Sequence, residues 1–138
     1  DYQREHLVKV QATYLGPYGI NLGAYYQFGS GIPYTRRIRT YEAGLGELYQ
    51  GAETIFAERR GSYKLPDQHL LDIRVEKTLN IWKGQLGLQF DAYNVFNNNQ
   101  TTSIGSLTNW DWFKDQRGQS VYGIMGPRYI QFGVVFTF

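Results

Sequence analysis

The residues of this chain that could do chemistry are spaced in ways that build no reactive centre. His6 and His69 lie far apart, and neither has a carboxylate or second histidine at metal-ligand spacing. Asp111 and Asp115 could contribute oxygens to calcium, but no EF-type loop spacing surrounds them. Ser103 and Ser106 stand in a loop without a base, and no Gly-x-Ser-x-Gly elbow occurs. No glycine-rich phosphate loop opens a helix. There are no cysteines, so thiolate chemistry and disulfides are excluded. Catalysis, a resident metal and a cofactor are therefore not expected. The net charge of +2 is too small to argue for nucleic acid.

Binding is better served. The segment Asn109-Trp-Asp-Trp-Phe-Lys-Asp115 places Trp110, Asp111, Trp112 and Phe113 together, and such rings could stack on a sugar or peptide. Aromatics are more often packing residues, so a self-packed loop is the bland alternative. Arg36, Arg37, Arg39, Arg59 and Arg60 could hold lipopolysaccharide phosphates, against the ordinary alternative of a solvated loop. Asp72, Arg74, Glu76, Gln89 and Asp91 recur at alternate positions and would line one polar wall.

The elements that position these residues are strands. Aromatics make up 17% of the 138 residues and glycine contributes 16, a composition suited to β-structure. Period-two alternation appears over His6 to Leu15, Ile20 to Phe28, Leu70 to Ile81, Gln85 to Phe96 and Pro127 to Phe138. In each, one face is apolar and the other mixed or polar. Ile73, Val75, Leu86, Leu88, Phe90, Ile130, Phe132 and Val134 belong to the apolar set. Lys77 interrupts it near one end, where a long side chain can snorkel. If Ile81 opposes Gly84 across the Trp82-Lys83 turn, Arg74 faces Asp91.

The connections alternate short, long, short, long. Residues 34 to 67 and 97 to 126 form the long ones, and the first could hold a strand extension over Tyr34 to Tyr41. Two loops of about 30 residues among five strands are unusual in a compact soluble domain. They suit an outer-membrane barrel, with short periplasmic turns and long extracellular loops. No run of 18 apolar residues is present, so a spanning helix is not expected. The fold expected is all-β: an antiparallel up-and-down transmembrane β-barrel segment of about five strands. The chain begins at Asp1 without a leader and reads as an excerpt of a longer precursor.

Four segments resemble those of TonB-dependent outer-membrane receptors, nearest in flavour to the Oar-like group with a carboxypeptidase-regulatory-like domain. They are Tyr26-Gln-Phe-Gly-Ser-Gly-Ile-Pro-Tyr-Thr35, Leu65-Pro-Asp-Gln-His-Leu-Leu-Asp-Ile-Arg-Val-Glu-Lys-Thr78, Phe90-Asp-Ala-Tyr-Asn-Val-Phe-Asn97, and Gly126-Pro-Arg128 with the closing strand. Gln131, Gly133, Phe136 and Phe138 resemble the C-terminal signal read by the barrel assembly machinery. The resemblance implies a barrel of about 22 strands, with residues 1–138 its C-terminal part. It further implies a plug and energy-coupling box elsewhere, solute uptake, and location in the bacterial outer membrane among its lipid and lipopolysaccharide. The alternatives are a structural barrel subunit without transport and a soluble glycan-binding β-sandwich.

Overall fold

The computed structural model describes residues 3–40, 44, 49–51, 53–105 and 121–138. Trp110, Asp111, Trp112 and Phe113, with Ser106 and Asp115, lie outside the described residues. The chain divides into two units. One collects residues 6–29, 67–99 and 126–138, and the other collects the long connections.

The first unit is a five-stranded antiparallel sheet. Its strands are β1 (Leu7–Leu15), β2 (Ile20–Gly29), β7 (Gln68–Ile81), β8 (Gly84–Tyr93) and β11 (Tyr129–Thr137). They lie side by side in chain order. β1 and β2 are joined by a 3-10 turn, Pro17–Gly19, in which Tyr18 takes φ 61° and Gly19 φ 70°. β7 and β8 are joined by Trp82 and Lys83 alone, because Ile81 pairs with Gly84. Phe138 follows β11 at this same end, since Thr137 pairs with Gln85. Both long connections leave from the opposite end.

The registers align the alternation of all five strands. Val10, Tyr26, Leu71 form one row, and Tyr14, Leu22, Val75, Phe90, Phe132 another. Every such row is apolar, apart from His69 and Lys77. The intervening rows carry the polar residues, as in Thr13, Gly23, Arg74, Asp91, Gln131. A single-residue slip of any strand would scramble this separation, which is why the pattern specifies register so strongly.

The apolar face is not covered. Phe132 is 77% exposed, Val134 69% and Val10 53%, whereas Asp91 on the polar face is 2% exposed. Among the described residues, Leu65 is the one buried hydrophobic residue, and it belongs to the other unit. Aliphatics and the Phe90–Phe132 ring pair hold the middle of the apolar face. Aromatics gather towards both ends of the sheet: Tyr14, Tyr18, Trp82, Phe136 and Phe138 at the turns, and Tyr26, Phe28, Tyr93 and Tyr129 at the connections.

Several strand boundaries differ from the periodic pattern by one to three residues, and two of them have a visible cause. β8 stops at Tyr93 instead of running to Phe96, because Asn94 turns into the left-handed region at φ 50°. β7 begins at Gln68 because that residue still pairs with Gly29.

The second unit contains short pairs. β3 (Pro33–Tyr34) pairs with β6 (Tyr63–Lys64), β4 (Arg37–Arg39) with β5 (Thr54–Phe56), and β9 (Thr101–Ile104) with β10 (Val121–Ile124). The extension expected over Tyr34 to Tyr41 is thus two short strands in two different ladders, and Tyr41 lies outside the described residues.

Candidate functional site

The polar face of the sheet gathers all five residues expected on one wall. Arg74 and Asp91 are cross-strand partners, as are Glu76 and Gln89, and Asp72 lies two residues before Arg74. The guanidinium grips the carboxylate with both arms. Arg74 Nε donates to Asp91 Oδ1 at 2.7 Å, and Nη2 donates to Oδ2 at 3.2 Å. Gln89 Nε2 donates to the same Oδ2 at 2.5 Å. Asp91 is thereby charged, buried and satisfied, while the Arg74 side chain stays half exposed. Asp72 instead anchors the end of β8, where its Oδ1 accepts the backbone N–H of Asn94 at 2.9 Å.

A hollow of about 450 Å³ opens beside Arg74. Gly23 makes part of it, since a Cβ there would sit 3.6 Å from the Arg74 Cβ. Thr13, Asn21, Tyr25 and Glu76 are among its other polar lining residues. Such a wall can hydrate or contact a solute or a packed domain. Asp91 holds Arg74, and Asp72 holds the end of β8, so these two carboxylates position their neighbours.

Asn94 is a site residue that the periodicity does not reveal. It is buried, and its side chain ties three backbone groups. Oδ1 accepts the N–H of Asn98 at 2.9 Å, and Nδ2 donates to the carbonyls of Asn98 at 3.0 Å and Gly126 at 2.7 Å. Asn97, also at φ 50°, accepts the N–H of Arg128 on Oδ1 at 3.2 Å. Two asparagines three apart therefore end β8 and seat the chain just before β11. The available signal is the residue type, because asparagine tolerates the left-handed region and bonds its neighbouring backbone.

Three residues of the C-terminal motif lie on β11, and Phe138 follows its last residue. Gln131 stands opposite Asp91 and Gly133 opposite Gln89, on the polar face. Phe136 stands opposite Leu86 on the apolar face, and its ring stacks on that of Phe138 at 6.1 Å. Lys77 sends its ammonium to the backbone carbonyl of Tyr18, in the turn between β1 and β2. His69 is held among aromatics: Nδ1 bonds the Tyr26 hydroxyl at 2.9 Å, and the Phe28 ring lies 5.0 Å away.

The arginines of the connections have different surroundings. Arg36 pairs with Glu58 and lies over the Tyr63 ring at 4.9 Å. Arg37 and Arg39 are in β4, and the Arg60 guanidinium lies over Phe56 at 4.6 Å. The Arg59 carbonyl accepts the Ser62 hydroxyl at 2.5 Å. Among the described residues no group of three or more His, Asp or Glu could hold a metal ion. No helix among them is long and apolar enough to cross a membrane. No protein-family model, curated protein or solved structure matches this chain.

Proposed function

We propose that this chain forms the C-terminal wall of an outer-membrane β-barrel of the TonB-dependent receptor kind, taking part in solute uptake as scaffold and outer vestibule. The observation that carries the proposal is the uncovered apolar face, continuous across five strands and backed by a polar face. In water such a face would drive association, because large exposed apolar patches mark interaction surfaces. In a bilayer it is the ordinary outside of a barrel, with the polar face turned to the lumen. Aromatics at both ends suit the two membrane interfaces. Lys77 suits the same reading, since its ammonium reaches out of the apolar face to the turn.

The outer edges of β1 and β11 require partners in this reading, because unpaired backbone groups in hydrocarbon cost several kcal/mol each, roughly the penalty of a lost hydrogen bond in oil. The remaining strands of a larger barrel would supply them. A soluble glycan-binding sandwich would need a second sheet over the apolar face, which is exposed among the described residues.

Spin labels test the assignment. In lipid, labels at Ile73, Val75, Phe132 and Val134 should meet oxygen and escape a polar nickel reagent. Labels at Arg74, Gln89 and Gln131 should do the reverse. Equal responses from both sets would exclude the membrane wall.

A further inference from the structure

The hollow of about 450 Å³ on the polar face is kept open by a glycine that the backbone does not require. Gly23 lies in β2, opposite Thr13 on one side and Arg74 on the other. Its φ is outside the left-handed region, and a Cβ there would meet only the Arg74 Cβ, at an ordinary 3.6 Å. At Gly84, by contrast, a Cβ would collide with the Thr137 carbonyl oxygen. A side chain at residue 23 would therefore fit, favour the strand and fill the hollow. Glycine inside a strand weakens it, and commonly marks a place where a ligand comes close.

The groups around this floor have bonding capacity to spare. Gln11, Thr13, Asn21 and Glu76 line the hollow, and none of these four side chains bonds another described residue. They offer two amides, a hydroxyl and a carboxylate, so donors and acceptors are intermixed. Tyr25 donates its hydroxyl to Gln27 Oε1 at 2.8 Å, which leaves its ring as its contribution to the wall. Arg74 keeps N–H groups beyond the two that grip Asp91.

Charge selects against ions. Asp72, Arg74 and Glu76 alternate along β7, so a guanidinium stands between two carboxylates. An anion entering the hollow meets the carboxylates, and a cation meets the guanidinium. A neutral molecule rich in hydroxyls meets neither penalty, because each hydroxyl both donates and accepts. We infer that the hollow binds a neutral sugar of one or two rings, with its hydroxyls on the amides, Thr13 and Glu76 and its C–H face against Tyr25. The volume is within the usual range of small-molecule sites, roughly 300–1,000 Å³. That such a sugar is the solute of the proposed uptake rests on the polar face lining the lumen; the binding itself does not.

The full-length protein, in a polyoxyethylene detergent whose headgroup carries no sugar, would be titrated with maltose, cellobiose and lactose, and with zwitterionic glycylglycine, following heat. Saturable binding of at least one disaccharide is expected, with glycylglycine weaker by about tenfold or more. Gly23→Val suits a strand and fills the floor, and should abolish binding. Gly87→Val makes the same change on the same face outside the hollow, where a Cβ also meets only ordinary contacts, and should leave binding unchanged. Asn21→Ala should weaken it about threefold to tenfold, the scale of one hydrogen bond. Circular dichroism checks that the β-signal persists, and Asn21→Ala decides if Gly23→Val loses it. Absence of saturable disaccharide binding, glycylglycine as tight as the sugar, unchanged affinity in Asn21→Ala, or equal losses in Gly23→Val and Gly87→Val would overturn the assignment. Spin labels at Val134 and Gln131 in lipid report the membrane reading separately. Contrasting labels without sugar binding overturn the sugar site alone, and sugar binding with equal labels overturns the membrane wall alone.

Discussion

Arg74 and Asp91 stand directly opposite one another on neighbouring strands, and the turn between those strands is the shortest in the sheet. The pairing follows from chain geometry. With Ile81 opposite Gly84, each step back along β7 is matched by one step forward along β8, and the seventh step brings the arginine to the aspartate. The register thus lets an ordinary two-residue turn place a guanidinium on a buried carboxylate. The expected consequence is chemical: Arg74→Cys with Asp91→Cys should form a disulfide on mild oxidation, since directly opposed Cβ atoms lie about 4.5–5.5 Å apart before small adjustment. Cysteines at Arg74 and Gln89 should cross-link far less. Arg74→Met should lower the unfolding midpoint by leaving Asp91 with Gln89 alone, and the exchange Arg74→Asp with Asp91→Arg should recover part of the loss.

The two faces of β11 should answer differently to the same substitution. Val134 lies in an apolar row opposite Leu88, and Val135 in a polar row opposite Gly87. If the apolar face is turned to lipid, Val134→Arg should cost about 2–4 kcal/mol near the bilayer midplane, while Val135→Arg should stay within about 1 kcal/mol. Equilibrium unfolding from lipid vesicles of the intact protein measures both. Equal costs would mean that neither face meets hydrocarbon.

Asn94 should be worth more than a loop residue of its type. Asn94→Ala removes the bonds to Asn98 and Gly126 and leaves a β-carbon residue at φ 50°. The expected loss is about 1–3 kcal/mol, the range for buried partners left unsatisfied, with a further contribution from the backbone. Asn94→Gly should relieve the backbone part only. Asn94→Asp keeps the acceptor for Asn98 and loses both donors, so it should fall between wild type and alanine. Limited proteolysis near residues 126–128 should accelerate in the same order as the stability losses, because Gly126 is the far end of the clamp.

These residues also show what was readable in the chain and what was not. The five long strands announce themselves because alternation persists for nine or more residues and all registers agree with it. Even the Arg74–Asp91 contact follows, given a two-residue turn. Alternation misleads at Phe96, where the apolar pattern continues but Asn94 has already taken its own backbone bonds and ended the ladder. It is silent for β3 to β6, whose two or three residues are too few to carry a period. Their placement comes from side chains such as Thr35, which gathers the Gly61 turn, and from the Arg36–Glu58 pair.

The terminal phenylalanine separates a packing role from a recognised signal. Phe138 is 97% exposed and lies beyond the last paired residue, Thr137. Its ring stacks on that of Phe136 at 6.1 Å. Removing so exposed a side chain should cost little folded stability, below about 1 kcal/mol by analogy with other surface positions. If Gln131, Gly133, Phe136 and Phe138 serve as a targeting signal, the cellular outcome is much larger. Phe138 deletion from the full-length precursor should then leave the protein in the periplasm, where it is degraded. The same deletion should barely change the yield of refolding from urea into detergent, where no assembly machinery reads the chain end. Surface abundance in cells, set beside refolding yield in vitro, distinguishes the two roles. A parallel fall in both would make Phe138 a structural residue, no change in either would make it dispensable, and only a selective loss at the cell surface fits a signal.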